Sequence, residues 1–448
     1  MRSSDFLAFV LVAAGLCGVD IQAQNPVIMD QFTADPAARV FDGKVYLYPS
    51  HDILAVEGKG RPGWFCMEDY HVFSSSDLVN WVDHGVIISQ DKIPWANPKA
   101  YALWAPDCLH KDGKYYFYFP APPADTTLGR GFFIGVAVSG KPEGPFTPQP
   151  MPIKNARGID PNPFIDKDGQ AYLYWAARNF YVAKLKDNML ELASEPQVIQ
   201  GLPEKGLKEG PFVFERNGLY YLTYPHVENK IERLEYAISQ NPMGPFQVAG
   251  VLMDELPDSC WTNQPSIIEY QQQWYLFYHS NDLSPRFDKN RSVRIDSLFF
   301  TDDGAIKKVI PSLRGVGVTD ASRKIQIDRY SLTSPTGVTV AFLDTLRKSD
   351  GWKVTLNARH SWVQYNAVDF GKNQYSTVSV RAAAERGATL LLRLQNAQGP
   401  VIAKVNVPKG MEWKTVSASL SGLQPGMQNL LMVHNDDKPV AVDWIKFE

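Results

Sequence analysis

The sequence predicts an all-β protein in two parts, a five-bladed β-propeller followed by a jelly-roll-like β-sandwich. Three observations carry this expectation. A turn leading into an aromatic strand recurs five times, at Asp42-Gly43-Lys44-Val45-Tyr46-Leu47-Tyr48, Asp112-Gly113-Lys114-Tyr115-Tyr116-Phe117-Tyr118, Asp168-Gly169-Gln170-Ala171-Tyr172-Leu173-Tyr174, Asn217-Gly218-Leu219-Tyr220-Tyr221-Leu222-Thr223 and Gln272-Gln273-Trp274-Tyr275-Leu276-Phe277-Tyr278. Asp-Gly and Asn-Gly between apolar runs signal a hairpin, because these residues tolerate the positive φ of a tight turn. Each hairpin follows a proline-bearing bend: Ala34-Asp35-Pro36, Trp104-Ala105-Pro106-Asp107, Ile159-Asp160-Pro161-Asn162, Glu209-Gly210-Pro211 and Asn263-Gln264-Pro265-Ser266. The repeat stops near Pro311-Ser312-Leu313-Arg314-Gly315, where a different strand pattern takes over.

In chain order, residues 1–23 come first: Arg2, an apolar run from Phe6 to Gly18, then Ile21-Gln22-Ala23. The run is shorter than the roughly 20 residues that span a bilayer. It reads as a secretory signal peptide, so a secreted or periplasmic location is expected. Lipid anchoring at Cys17 fits less well, because Leu16 is bulkier than the residue that usually precedes such a cysteine. Residues 24–318 hold the repeats, with outer-strand signals at Val72-Phe73-Ser74-Ser75-Ser76-Asp77 and paired endings at Gly144-Pro145-Phe146 and Gly244-Pro245-Phe246. Small antiparallel sheets repeated at such intervals make a propeller. A single large sandwich would not explain why every unit starts on the same bend. After a linker to about residue 324, residues 325–448 alternate apolar and polar, as in Ser361-Trp362-Val363-Gln364-Tyr365 and Val442-Asp443-Trp444-Ile445-Lys446-Phe447, without a sustained helical period. That is the pattern of a β-sandwich.

A chain of 448 residues exceeds what one core usually serves, in keeping with two domains. The 45 Lys and Arg residues are outnumbered by 48 Asp and Glu, which speaks against a nucleic-acid partner. Cys66, Cys108 and Cys260, left after the leader, have neither disulfide-framework nor metal-site spacing. No feature sets an oligomeric state.

In a propeller the innermost strands line one axis, so residues at equal register in different blades converge at one end. Asp35, Asp160 and Glu209 stand at closely matching distances before their turns; the other two blades carry Trp104 or Ala105 and Asn263 or Gln264 there. Three acids brought together raise one another's pKa, so one holds a proton while another stays anionic. Glycoside hydrolysis requires that division.

These bends, in this order and inside these repeats, resemble glycoside hydrolase family 43 over about residues 25–318. The resemblance implies Asp35 as the general base, Glu209 as the general acid and Asp160 as the group that tunes and orients the acid. It also implies inversion, with base and acid about 6.5–9.5 Å apart to admit a water. No cofactor is required for that chemistry. By the same resemblance His279 is a candidate for holding a structural Ca²⁺ on the axis, and Arg291 for contacting substrate. Trp104 is the expected sugar-stacking residue. The blade-one insertion with His51, Asp52, Trp64 and Phe65 is expected to build a rim, with Trp95 a weaker candidate. The C-terminal part resembles family 6 carbohydrate-binding modules through Ser361-Trp362-Val363 and Val442-Asp443-Trp444, although Ala441 stands where a ligand-binding Asn often precedes the Asp-Trp pair. Such a module either binds sugar or braces the propeller.

The expected function is therefore an inverting glycosidase acting on hemicellulose-type polysaccharide, foremost an α-L-arabinofuranosidase. An exo-β-xylosidase, a β-galactanase and a non-catalytic sugar-binding propeller are the alternatives, in that order.

Overall fold

The computed structural model describes residues 25–256, 260–284, 288–347, 350–372 and 374–448. The expected signal peptide at 1–23 lies outside them. Among the described residues no helix is long and apolar enough to cross a membrane.

Five four-stranded antiparallel sheets follow one another, each in simple sequential order. Their first two strands are the predicted hairpins: Phe32–Phe41 with Lys44–Asp52, Asp107–Lys111 with Lys114–Ala121, Ile159–Ile165 with Ala171–Ala176, Phe212–Arg216 with Leu219–Val227, and Ser266–Tyr270 with Gln273–Ser280. At Asp42-Gly43, Asp112-Gly113 and Asn217-Gly218 both turn residues take positive φ, as the dipeptides predict. The fifth turn lies one residue earlier than the sequence pattern places it, on Gln271 (φ 50) and Gln272 (φ 65). No glycine marks it, which is why the pattern misplaces it.

The aromatic second strands hold the ring together, because alternate side chains point to opposite faces. Tyr48 joins Phe117 and Phe119 between blades one and two, while Leu47 joins Phe73, Phe277 and Val293 between blades one and five. Tyr118 packs with Leu173 and Trp175, Tyr174 with Leu222 and Tyr224, and Tyr221 with Leu276 and Tyr278. Each blade thus shares a core with both neighbours, and the ring closes. Buried tyrosine hydroxyls need acceptors. Tyr48, Tyr118 and Tyr174 donate to the carbonyls of Pro142, Met189 and Pro242 in the following blade, at 2.7, 2.7 and 2.6 Å.

The C-terminal part is a two-sheet sandwich. Its core includes Val354, Tyr365, Val380, Leu390, Leu392 and Ile445. It begins at Thr319 rather than 325: Thr319–Asp320 pairs in parallel with Val368 and Asp369, and Ala321 is buried. A two-residue strand carries no alternation, so the expected linker conceals it. Buried Arg329 ties the sandwich to the propeller by donating from Nη1 to the carbonyls of Asn25 and Leu313.

Candidate active site

Each acid stands on a distorted piece of backbone. Asp35 and Asp160 have φ of 46° and 56°, in the left-handed region that L-residues avoid. Pro36 and Pro161 follow them, and without an N–H they cannot continue the ladder. The blade-one register slips between Ala34 and Ala37, and the blade-three register between Tyr174 and Ala176. Such bulges re-aim side chains next to sites. Glu209 precedes Gly210 (φ 70), whose N–H donates to Asp160 Oδ2 at 2.7 Å and so links the two acid-bearing segments.

The bends converge. Asp35, Asp160 and Glu209 line one cavity of about 260 Å³, together with Trp64, Phe65, Trp104 and Arg291. All seven residues were predicted as catalytic or substrate-contacting, and they come from all five blades.

Arg291 is held between two carboxylates. Its Nη1 and Nη2 donate to Asp35 at 2.8 and 3.1 Å, while Nε and Nη2 donate to Asp52 at 2.9 and 3.0 Å. Burial opposes its charge, but Asp35 and Asp52 outweigh that and raise its pKa. Ser50 Oγ donates to Asp35 Oδ2 at 2.8 Å. Every one of these partners is a donor, which suits a carboxylate that acts only as an acceptor. Glu209 differs: burial first and the nearby Asp35 second push its pKa up to about 7. Asp160 is raised well above the usual carboxylate range, by burial and then by Glu209 and Asp35.

His279 is fully buried next to Asp35. Its Nδ1 accepts from the Asp35 N–H at 3.1 Å, and its Nε2–H donates to the Thr262 carbonyl at 2.9 Å. Burial, then Arg291, depress its pKa to about 3, so the ring is neutral. With both nitrogens engaged, His279 has no lone pair for a metal. Ca²⁺ also prefers shells of six to eight oxygens. Direct ligation of Ca²⁺ by His279 therefore does not fit this arrangement, and the residue instead supports the backbone of Asp35.

Residues 23–306 match the sequence model of glycosyl hydrolases family 43, and residues 332–448 that of carbohydrate binding module family 6. The chain belongs to glycoside hydrolase family 43. It is 38% identical over 330 residues to xylosidase/arabinosidase 43A of Humicola insolens, covering 63% of this chain and 98% of that one. It is similar to the crystal structure of a family 43 β-xylosidase/α-arabinofuranosidase from a compost microbial metagenome in complex with xylotriose. There the TM-score is 0.58 at 36% identity, over 64% of this chain and 98% of that one. An arabinoxylan arabinofuranohydrolase from Bacillus subtilis, 23% identical with a TM-score of 0.55, shares the fold over 94% of this chain and 97% of its own. The chain is a glycosidase that hydrolyses glycosidic bonds.

Within the family 43 domain, some expected rim residues lie elsewhere. Asp52 is buried as the second partner of Arg291. The side chain of His51 turns instead to Asp69, with Nδ1 2.6 Å from Oδ1. Trp95 stacks on Phe119 in the core between blades one and two. Conversely, the sequence reading missed Trp261, whose ring lies 5.6 Å from Phe65 and whose Nε1 donates to Asp288 at 2.6 Å. The Lys289 ammonium sits 5.5–5.8 Å from the rings of Trp261, Trp64 and Phe65 and braces this rim. Also missed was Glu232, a fourth buried carboxylate, which accepts from the Asn263 N–H at 2.7 Å. Burial, then Glu209, raise its pKa well above the usual range. Neither lies on a repeated bend, so register carries no signal for them. Cys66, Cys108 and Cys260 are buried and unbridged.

The sandwich has its own cleft of about 710 Å³, lined by Phe342, Trp413, Trp444, Arg347, Arg381 and Lys324, among others. Its charges are largely paired: Arg381 with Asp443, and Arg347 with Asp344 and Asp350. The Arg381 guanidinium lies 5.1 Å from the Trp413 ring, and the Lys324 ammonium 4.9 Å from Trp444.

Proposed function

We propose that this glycosidase removes single terminal pentose residues from arabinoxylan-type chains with inversion, α-L-arabinofuranosyl groups foremost. The observation that carries the reading is the meeting of Asp35, Asp160 and Glu209 in one small aromatic-walled cavity. In this mechanism Asp35 takes a proton from the attacking water as its oxygen bonds to the anomeric carbon. The bond from that carbon to the leaving oxygen breaks in the same displacement, and Glu209 supplies the leaving oxygen with a proton. Arg291 and Ser50 hold Asp35 in place for the water. Asp160 fixes the acid-bearing segment through the Gly210 N–H.

A cavity of about 260 Å³ is below the roughly 300–1,000 Å³ that holds larger ligands, which supports one terminal sugar and exo action. Trp104 lines the cavity, and its ring offers a face on which a sugar can stack. Relatives named for both xylosidase and arabinosidase activity support a pentose in that position. The second reading is exo-β-xylosidase, favoured by the xylotriose complex of a similar structure. In this account the sandwich holds polymer on Trp413 and Trp444 while also bracing the propeller, and the leader-like segment supports action outside the cytoplasm.

Turnover of paired aryl α-L-arabinofuranoside and aryl β-D-xylopyranoside substrates tests the reading. Higher kcat/KM on the arabinofuranoside is expected; dominant xylopyranoside turnover would transfer the assignment to the second reading.

A further inference from the structure

We propose that blade one carries a binding site for one divalent transition-metal ion of the zinc type, built from His51, Asp69 and His71. The site does not depend on which sugar the enzyme releases. His51 lies on the strand Lys44–Asp52, and Asp69 and His71 lie two residues apart on the neighbouring strand Asp69–Ser75. In an antiparallel pair, residues i and i+2 share a face with the residue opposite them. The register from Val45↔Ser75 to Leu47↔Phe73, carried along both strands, sets His51 opposite Asp69 and next to His71. One ligand atom from each of the three lies within 4.8 Å of the others. Small side-chain rotations close such spacings onto an ion with ligand distances of about 2.0–2.2 Å.

A second observation comes from outside the triad. His71 Nδ1 stands 3.1 and 3.2 Å from the two oxygens of Asp83. Asp83 is itself fixed by Gln31 Nε2 at 2.9 Å and the Gly85 N–H at 2.7 Å. A carboxylate that takes the Nδ1–H of an imidazole leaves Nε2 as the lone pair and orients the ring, which is the usual outer support of a metal-ligating histidine. Among the described residues, Nε2 of His71 makes no hydrogen bond, and His51 meets Asp69 through Nδ1 at 2.6 Å, so Nδ1 is the atom His51 turns to the site. The side chains are 15–17% exposed, so an ion can reach them. Two imidazoles and one carboxylate suit Zn²⁺ and its neighbours rather than Ca²⁺ or Mg²⁺.

The other candidate cluster is already occupied by protein groups. Arg233 pairs with both Glu228 and Glu235, and both nitrogens of His226 are bonded, to Glu235 and to the Lys205 carbonyl. One ion per chain is therefore expected. It would grip the strand that also carries Ser50 and Asp52, the residues that hold Asp35 and Arg291.

The test is calorimetric titration of the tag-free full-length chain, stripped of metal, with ZnCl2, and metal analysis after dialysis. One saturable Zn²⁺ per chain is expected, lost in His71→Ala and weakened about 10–100-fold in Asp83→Asn, a change that leaves all three ligands in place. A rise in Tm with Zn²⁺ is expected in the unsubstituted chain and not in His71→Ala. Absence of saturable uptake, or uptake unchanged in both variants, would overturn the proposal.

Discussion

The propeller cavity and the sandwich cleft divide charge in opposite ways. The sandwich cleft is the larger, about 710 against 260 Å³, yet its guanidinium groups already face carboxylates of their own. The smaller propeller cavity gathers three acids around one guanidinium that is shared with a fourth, Asp52. Burial there leaves like charges unrelieved, and Glu209 and Asp160 answer with raised pKa values. A surface that only holds a polymer gains nothing from such tension, whereas proton transfer to a leaving oxygen depends on it. Size alone points to the wrong cavity; charge balance points to the chemistry.

Four substitutions or conditions sharpen this contrast. The largest effect is expected for Asp35→Asn, which removes the proposed base and should lower kcat by about 10²–10⁴ on every substrate. Retained turnover would break the contrast at its root. Next, Arg291→Ala leaves Asp35 and Asp52 buried without a cation, at a cost of about 3–5 kcal/mol by chemical denaturation. Arg381→Ala in the sandwich, with a side chain 33% exposed, should cost less than about 1 kcal/mol. Equal losses would show that the two ion pairs do not differ as described.

The third is a pH effect. Because the Glu209 pKa is raised to about 7, the proton it would donate as the proposed acid is present below that pH and lost above it. The kcat/KM profile should fall on the alkaline side with a midpoint close to 7, and a flat profile to pH 9 would contradict this. The smallest effect is expected for the paired change Trp413→Ala and Trp444→Ala. It should weaken retention on insoluble arabinoxylan by about 5- to 150-fold, in line with about 0.5–1.5 kcal/mol for each of the two aromatic stacking contacts. Turnover of a small aryl glycoside should not change.

The fold and the acids were legible in the sequence for one reason: a propeller converts equal register into proximity. Asp35, Asp160 and Glu209 lie far apart along the chain, and the bend before each turn was enough to bring them together on paper. Features that rest on no repeat stayed hidden. Trp261 reaches the rim from an irregular segment, and Glu232 opens a third strand rather than a first. The two-residue strand at Thr319 is too short to show alternation. The type of residue at 279 was informative but its role was not, since only coordinates reveal that its two nitrogens are bonded to Asp35 and Thr262. Arg291 was expected to contact sugar; it does line the cavity, but its guanidinium is committed to Asp35 and Asp52.

The assignment of acid and base is tested most directly by the turnover of Glu209→Gln on two substrates that differ only in leaving group, an activated dinitrophenyl glycoside and the corresponding oligosaccharide. A dinitrophenolate departs without protonation, so the variant should keep most of its activity on the aryl glycoside while losing about 10²–10⁴ on the oligosaccharide. Equal loss on both, or no loss on either, would contradict the role given to Glu209.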